Sequence, residues 1–145
     1  MTTREPLPSD LSALAASRHT GGLATIKRDG RPQLSMVSYA FDPAAGVARI
    51  STRAPLAKVA NLRRDHRASL LVPSDDQWSY AVLEGHAELS EVSRDEHDAT
   101  VEELVEVYRA IGGEHPDWDD YRQAMVRDER LVVRLVVERG YGLVR

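Results

Sequence analysis

Two strand-like runs, residues 22–27 and 32–41, flank the tetrapeptide Arg28-Asp29-Gly30-Arg31. Asp-Gly between such runs is a strong hairpin signal, because the favoured two-residue turn needs positive φ at both central positions. Strands joined by so tight a turn pair antiparallel. The pattern then repeats. Asp42-Pro43-Ala44-Ala45-Gly46 reads as a second turn, and residues 47–52 as a third strand. Residues 67–73 and 77–89 read as strands four and five, with Gly85 marking a bulge. The β-branched run 131–137 reads as a nearly buried strand, and 141–144 as a last edge strand. About six or seven antiparallel strands in one small domain predict a mainly β protein, a closed or nearly closed barrel.

Helical signals interrupt this pattern at defined places. Residues 11–17 have helical spacing, with Ser9 or Asp10 as N-cap. Pro55 opens a short helix over 55–65 that carries Val59 and Leu62 on one face. The strongest helix spans 93–111. Ser93 is its expected cap, Glu96 completes a capping box, and Val101, Leu104, Val105, Tyr108 and Ile111 form the apolar stripe. Gly112-Gly113 ends it, and Pro116-Asp117-Trp118-Asp119-Asp120 opens another helix to about residue 126. These two later helices are expected to cover one opening of the barrel. There is no repeat, low-complexity stretch or linker, so residues 1–145 are read as a single domain.

Several classes of chemistry are excluded. The chain has no cysteine, which rules out disulfides, thiolate metal sites and cysteine nucleophiles. The five histidines lack metal-ligand spacing, and there is no nucleophile elbow, P-loop or dinucleotide-binding glycine motif. With 19 basic and 23 acidic residues the formal net charge is −4, which disfavours nucleic acid or an anionic membrane as a partner. Residues 1–10 have no apolar signal core, and no run approaches the roughly 20 residues needed to span a bilayer. A cytoplasmic location is expected.

The chemistry-bearing segment is 50–64, Ile50-Ser51-Thr52-Arg53-Ala54-Pro55-Leu56-Ala57-Lys58-Val59-Ala60-Asn61-Leu62-Arg63-Arg64. A strand delivers Ser51 and Thr52 to the head of a helix, whose first amides are unpaired and carry the positive end of the dipole. Lys58 can reach back over that end. Hydroxyls, free amides and an ammonium converging on one point suit a phosphomonoester. On composition alone, Lys58 and Arg63 would serve equally as a solvated helix face. Gln33 and Ser35 share a strand face, either to read a ring or chain hydroxyl or as an exposed polar face. Trp78 and Tyr80 are read as two aromatics on one face at the start of strand five, for ring stacking or for interface packing.

Four motifs in order give a family resemblance over about residues 11–143. The hairpin 23–33 resembles the opening of the pyridoxamine 5′-phosphate oxidase-like split-barrel flavoproteins, and 58–69 resembles their phosphate-binding helix and following strand. Residues 77–85 and 118–125 are similar to the actinobacterial branch that uses the deazaflavin coenzyme F420. The resemblance implies a split barrel, a homodimer and two cofactor sites between subunits. It implies that Ser51, Thr52 and Lys58 hold the phosphate. Gln33, Ser35 and Asn61, the only asparagine of the chain, would lie along the cofactor, with Trp78 and Tyr80 near the dimer interface. Two departures stand out: Leu56 and Met36 occupy positions where close relatives often have Arg and Asn. The implied activity is hydride transfer between reduced F420 and a small electron-poor acceptor. An FMN-dependent enzyme of the same fold and a non-catalytic F420-binding protein are the alternatives. No catalytic residue is assigned; Tyr80, Tyr108 and Arg122 are the nearest candidates for a proton donor.

Overall fold

The structure, a computed structural model, describes residues 4–145. Among these residues the chain forms four helices and six strands. The order is α1 (Ser9–Ser17), β1 (Thr20–Ile26), β2 (Pro32–Asp42), β3 (Val47–Arg53), α2 (Ala57–Arg64), β4 (Arg67–Pro73), β5 (Tyr80–Leu89), α3 (Ala99–Gly112), α4 (Trp118–Arg127) and β6 (Arg130–Leu143). The strands close into an antiparallel barrel in the order β1-β2-β3-β6-β5-β4. Closure is made by β1 against β4, with Leu23 opposite Leu70. It removes the free edges that an open sheet would expose.

Alternation along the strands fills the barrel. Leu23, Tyr39, Ile50, Leu70, Leu83 and Leu135 are fully buried in one cluster. Ala15 of α1 and Val59 and Leu62 of α2 join that cluster, and the Tyr39 hydroxyl donates to the Ala15 carbonyl at 2.6 Å. Burial raises the Tyr39 pKa, against a smaller opposing effect of the Arg18 charge. The phenol therefore stays a neutral donor.

Helices α3 and α4 do not cover an opening as expected. They lie on the outer wall, where Val101, Leu104, Val105, Tyr121 and Met125 pack with Val132 of β6. Residues 131–133 are consequently buried on both faces, which explains the continuous apolar run. Nor is there a seventh strand: β6 runs unbroken through residues 138–140, and Tyr141–Leu143 still pair with β5. A bulge falls at Gly85 as expected, but the extra residue is Glu138 of β6, between the pairs Glu84↔Arg139 and Gly85↔Val137. A Cβ on Gly85 would stand 1.9 Å from the Val136 carbonyl oxygen, so only glycine lets the strands approach there.

Local corrections have local causes. The first hairpin is a type I-like turn with a glycine bulge, not a two-residue turn. Gly30 N donates to Lys27 O at 2.9 Å and Lys27 N to Arg31 O at 2.8 Å, and Gly30 alone takes positive φ, at +90°. Asp29 instead accepts from the Arg31 amide at 3.0 Å. Helix α1 begins at Ser9 without a side-chain cap; Asp10 accepts from the adjacent Leu11 amide. Helix α2 starts at Ala57, and Pro55 belongs to the turn before it. Helix α3 starts six residues later than expected, capped by Asp98. Ser93 donates instead to the Met125 carbonyl at 2.8 Å, tying the α3 approach to α4. Strand β5 starts at Tyr80 because Gln77, at φ +66°, turns the chain just before it.

Candidate functional site

The site is built where β3 ends and α2 begins. Strand alternation sends Ser51 and Thr52 to opposite sides: Ala48, Ile50 and Thr52 are buried, whereas Arg49 and Ser51 are only partly so. Thr52 pairs with fully buried Leu131 and is itself 3% exposed. Ser51 is on the outer face. The two hydroxyls expected to converge are therefore divided between the barrel interior and its outer wall.

Helix α2 follows without a side-chain cap, so its amino end presents the positive dipole to the turn that leads into it. Lys58, the second helical residue, is half-buried. Desolvation lowers its pKa, and the charge of Arg130 lowers it further. Arg130 was not singled out in the sequence. It opens β6 opposite Arg53, and its Nη1 lies 3.5 Å from Ser51 Oγ, at the outer limit of a hydrogen bond. Its Nε is buried without a partner. Ser51, Lys58 and Arg130 thus gather at one place.

One helical turn on, Asn61 lies on the same side of α2 as Lys58 and is 7% exposed. Asn61 Nδ2 donates to Gln33 Oε1 at 2.8 Å and to Thr25 Oγ1 at 3.2 Å. Arg64 donates to Asn61 Oδ1 at 3.0 Å and to the Ile26 carbonyl at 2.8 Å. Gln33 and Asn61 form one network, with the Gln33 oxygen already engaged. Thr25, opposite Gln33 in the β1–β2 register, is the member that sequence reasoning missed. Its position across the hairpin was readable from the turn.

Ser35 lies opposite Leu23 and, with Tyr80, lines an apolar groove of about 670 Å³ on the barrel wall. Leu34, Met36, Leu71 and Tyr141 also line it, and they are 73%, 68%, 45% and 54% exposed. Trp78 does not share a strand face with Tyr80. It lies in the turn before β5, 67% exposed, with the Arg145 guanidinium carbon 5.8 Å from its ring centroid.

The proton-donor candidates are dispersed. Tyr108 packs in an aromatic cluster with His115, Trp118 and Tyr121, and Arg122 pairs with Glu102 at 2.6 Å. Both belong to the α3–α4 layer. Among the described residues, no helix is long and apolar enough to cross a membrane.

A closed six-stranded antiparallel barrel with four helices packed on it is the architecture of the split-barrel class. The family model described as pyridoxamine 5′-phosphate oxidase matches residues 7–143, and the chain belongs to that family. It is 29% identical over 141 residues to an F420H(2)-dependent biliverdin reductase of Mycobacterium tuberculosis, covering 97% of this chain and 90% of that protein. The crystal structure of a conserved hypothetical protein of M. tuberculosis is similar, with a TM-score of 0.72 and 27% identity over 98% of this chain and 89% of that one. A structure titled F420 reductase shares the fold, with a TM-score of 0.70 and 18% identity over 92% and 98% of the two chains.

Proposed function

We propose that this chain is an F420-dependent reductase acting on a small electron-poor organic acceptor. The observation that carries the reading is the half-buried, desolvated Lys58 at the uncapped head of α2, which forms no salt bridge among the described residues. A desolvated cation without a carboxylate fits an anionic guest, and the phosphate of a flavin-type cofactor is that guest. F420 is favoured over FMN by the F420H(2)-dependent relative, which aligns over nearly the full length of this chain.

Each residue has a task in this reading. Lys58, Ser51 and the α2 amides hold the phosphate. Thr52, facing the interior, supports the end of β3. Asn61 holds the oxygen of Gln33, so the amide NH₂ of Gln33 is directed to the cofactor. Ser35 and Tyr80 border the groove in which the ring lies, and Trp78, in the turn before β5, meets it from the partner subunit. When bound, reduced F420 supplies a hydride to the acceptor; the protein supplies binding, orientation and exclusion of water. The exposed apolar face around Leu34, Met36, Leu71 and Tyr141 pairs with a second copy, making the protein a homodimer with the cofactor between subunits. Such a contiguous apolar surface is costly to leave in water.

The test is a fluorescence titration of purified apoprotein with F420 and with FMN. F420 is expected to bind at least tenfold more tightly, at about 1.4 kcal/mol per factor of ten. FMN binding tenfold more tightly would overturn the choice of cofactor. Reduced F420 is then offered with enones, quinones and biliverdin; oxidation with at least one acceptor is expected, and none would favour a carrier protein.

A further inference from the structure

We propose that His86, held by the buried carboxylate of Glu138, gives the acceptor its proton in the reductase reaction. The proposal rests on the reading of the chain as a reductase and supplies the donor that the sequence left unassigned.

Three observations lead to it. The first is the bulge in β6. Glu138 is the extra residue between the pairs Glu84↔Arg139 and Gly85↔Val137. A bulge re-aims a side chain, and bulges recur beside active sites. The Glu138 carbonyl accepts from the Glu5 amide at 2.6 Å, which ties down the bulged backbone. The Glu138 side chain is directed at β5: the residue is 8% exposed, and its Oε1 lies 2.7 Å from His86 Nδ1. A buried carboxylate against an imidazole is a costly way to hold two strands together.

The second is the state of the imidazole. A carboxylate only accepts, so Nδ1 carries its hydrogen toward Glu138 and Nε2 is left to exchange a proton. Among the described residues Nε2 has no hydrogen bond; Glu88 Oε1 is 3.7 Å away. The other charged or titratable groups around the ring are Arg67 of β4, Arg139 of β6, Glu84 of β5, and Arg63 and His66 between α2 and β4. Arg67 is paired with Asp65 at 2.8 Å, and Arg139 stands 3.9 Å from Glu138.

The third is the cavity. His86 and Glu138 line a space of about 820 Å³ together with Arg67, Ser69, Glu84 and Arg139. Ala24 and Ser69 line both this space and the apolar groove assigned to the cofactor ring. The register sets Leu34, Ala24, Ser69, Glu84 and Arg139 in one row across the wall, and that row is the boundary between groove and cavity. His86, opposite Arg67, is two residues along β5 from Glu84, about 7 Å. An acceptor lying over Ser69 therefore meets the ring on one side and His86 on the other.

Hydride from reduced F420 brings the acceptor two electrons and one hydrogen and leaves an electron pair on its heteroatom or α-carbon. That pair takes the proton from Nε2. The N–H bonding electrons stay on the imidazole, and the neutral ring recovers its proton from water. Glu138 is a positioning residue, because it touches only His86.

The experiment follows oxidation of reduced F420 by cyclohexenone and by biliverdin in wild type, His86→Gln, His86→Ala and Glu138→Gln, with F420 affinity and thermal midpoint measured in parallel. General acids contribute about 10²- to 10⁴-fold, so His86→Gln is expected to lower kcat by at least about 100-fold while F420 affinity stays within about twofold. Added imidazole restores part of the His86→Ala activity. Wild-type kcat falls on the alkaline side, where the imidazolium is lost; His86→Gln lacks that fall, and Glu138→Gln moves it. A readout without turnover is histidine NMR of wild type saturated with oxidised F420. Biliverdin is expected to shift the His86 ring signals, assigned by their loss in His86→Gln, and to leave those of His115 in place. A His86→Gln enzyme with kcat within about twofold of wild type refutes the role, as does unmoved His86 resonance. A fall in kcat matched by a fall in F420 affinity and midpoint refutes it as a folding effect. If wild type reduces only quinones, whose reduced anion takes its proton from water, the role of His86 fails while the reductase reading stands. If wild type reduces nothing, both fail.

Discussion

Asn61 Nδ2 reaches across from α2 to donate to Gln33 Oε1 of β2 at 2.8 Å. The bond crosses the mouth of the barrel and joins the helix that heads the anion site to the first hairpin. Thr25 and Arg64 complete the network, and Asn61 is almost wholly buried. Buried polar groups left without partners cost about 1–3 kcal/mol. Asn61→Ala is therefore expected to lower unfolding free energy by about that amount in urea titrations. A double-mutant cycle with Gln33→Ala should return a coupling of at least about 0.5 kcal/mol. Additive losses would mean that the two side chains act independently.

Lys58→Ala separates binding from stability. Loss of a charged hydrogen bond to phosphate costs about 1.5–3 kcal/mol, or roughly a 10- to 150-fold weaker Kd for F420. A change under twofold would put the phosphate elsewhere. Stability should move the other way. Desolvation, then Arg130, lowers the Lys58 pKa in the folded apoprotein, so the unfolded chain holds that proton more tightly. The penalty is present at neutral pH and is relieved as pH rises through the folded pKa toward 10.5. Denaturation of the apoprotein across pH 7–11 is expected to show a stability increment over the upper part of this range, between the folded pKa and 10.5, in wild type that Lys58→Ala lacks.

Asp98 is the cap that organises the α3 layer. Its carboxylate accepts from the Val101 amide at 2.8 Å, the Arg94 amide at 2.8 Å and the Asp95 amide at 3.1 Å. Burial alone would raise its pKa, but these amide hydrogen bonds outweigh it and hold the group below 3.8. A depressed folded pKa stabilises above the unfolded value, and that stability is lost as pH falls through the folded one. Asp98→Ala should cost about 0.5–2 kcal/mol at pH 7. Asp98→Asn should keep the bond from the Val101 amide but lose those from Arg94 and Asp95, whose acceptor becomes an NH₂, and it should lack the acid-side loss of stability that begins as pH falls toward 3.8. An Asp98→Asn variant as unstable at neutral pH as Asp98→Ala would show that the Val101 cap bond alone does not carry the stability.

What the sequence revealed followed from locality. The Asp29-Gly30 hairpin, the bulge at Gly85 and the strand-to-helix passage from Ser51 to Lys58 depend on neighbouring residues, so pattern and turn chemistry found them. Helix starts were harder, because Ser93 with Glu96 fits a capping box as well as any pair. Only the fold reveals that the Ser93 hydroxyl is spent on Met125 and that Asp98 caps instead. The strand ends at Ser51 and Thr52, and β pleating divides the two hydroxyls between opposite faces, so they do not converge. Arg130 was invisible for a different reason. It follows Asp128 and Glu129 in the chain, where it reads as a solvated charge, and it meets Ser51 only through the β3–β6 pairing, 79 residues apart. Trp78 was placed on a strand because nothing in Gln77 announces a left-handed backbone.

The outer face of the first hairpin is apolar. Register puts Ser35 with fully buried Leu23, and the alternate residues Leu34 and Met36 project outward, 73% and 68% exposed. They border the same groove as Leu71, Val82 and Tyr141. Exposed neighbours of this kind on a short hairpin are also an aggregation hazard unless covered, and a twofold-related copy would cover both at once. Light scattering after gel filtration is expected to find wild type dimeric at micromolar concentration. Leu34→Lys combined with Met36→Lys should shift it to monomer, because burying two ammonium groups without partners costs several kcal/mol. Circular dichroism should be unchanged, since neither side chain enters the barrel core. A double variant that remained dimeric would move the interface off this face, and with it the expectation that Tyr80 and Trp78 meet the cofactor between subunits.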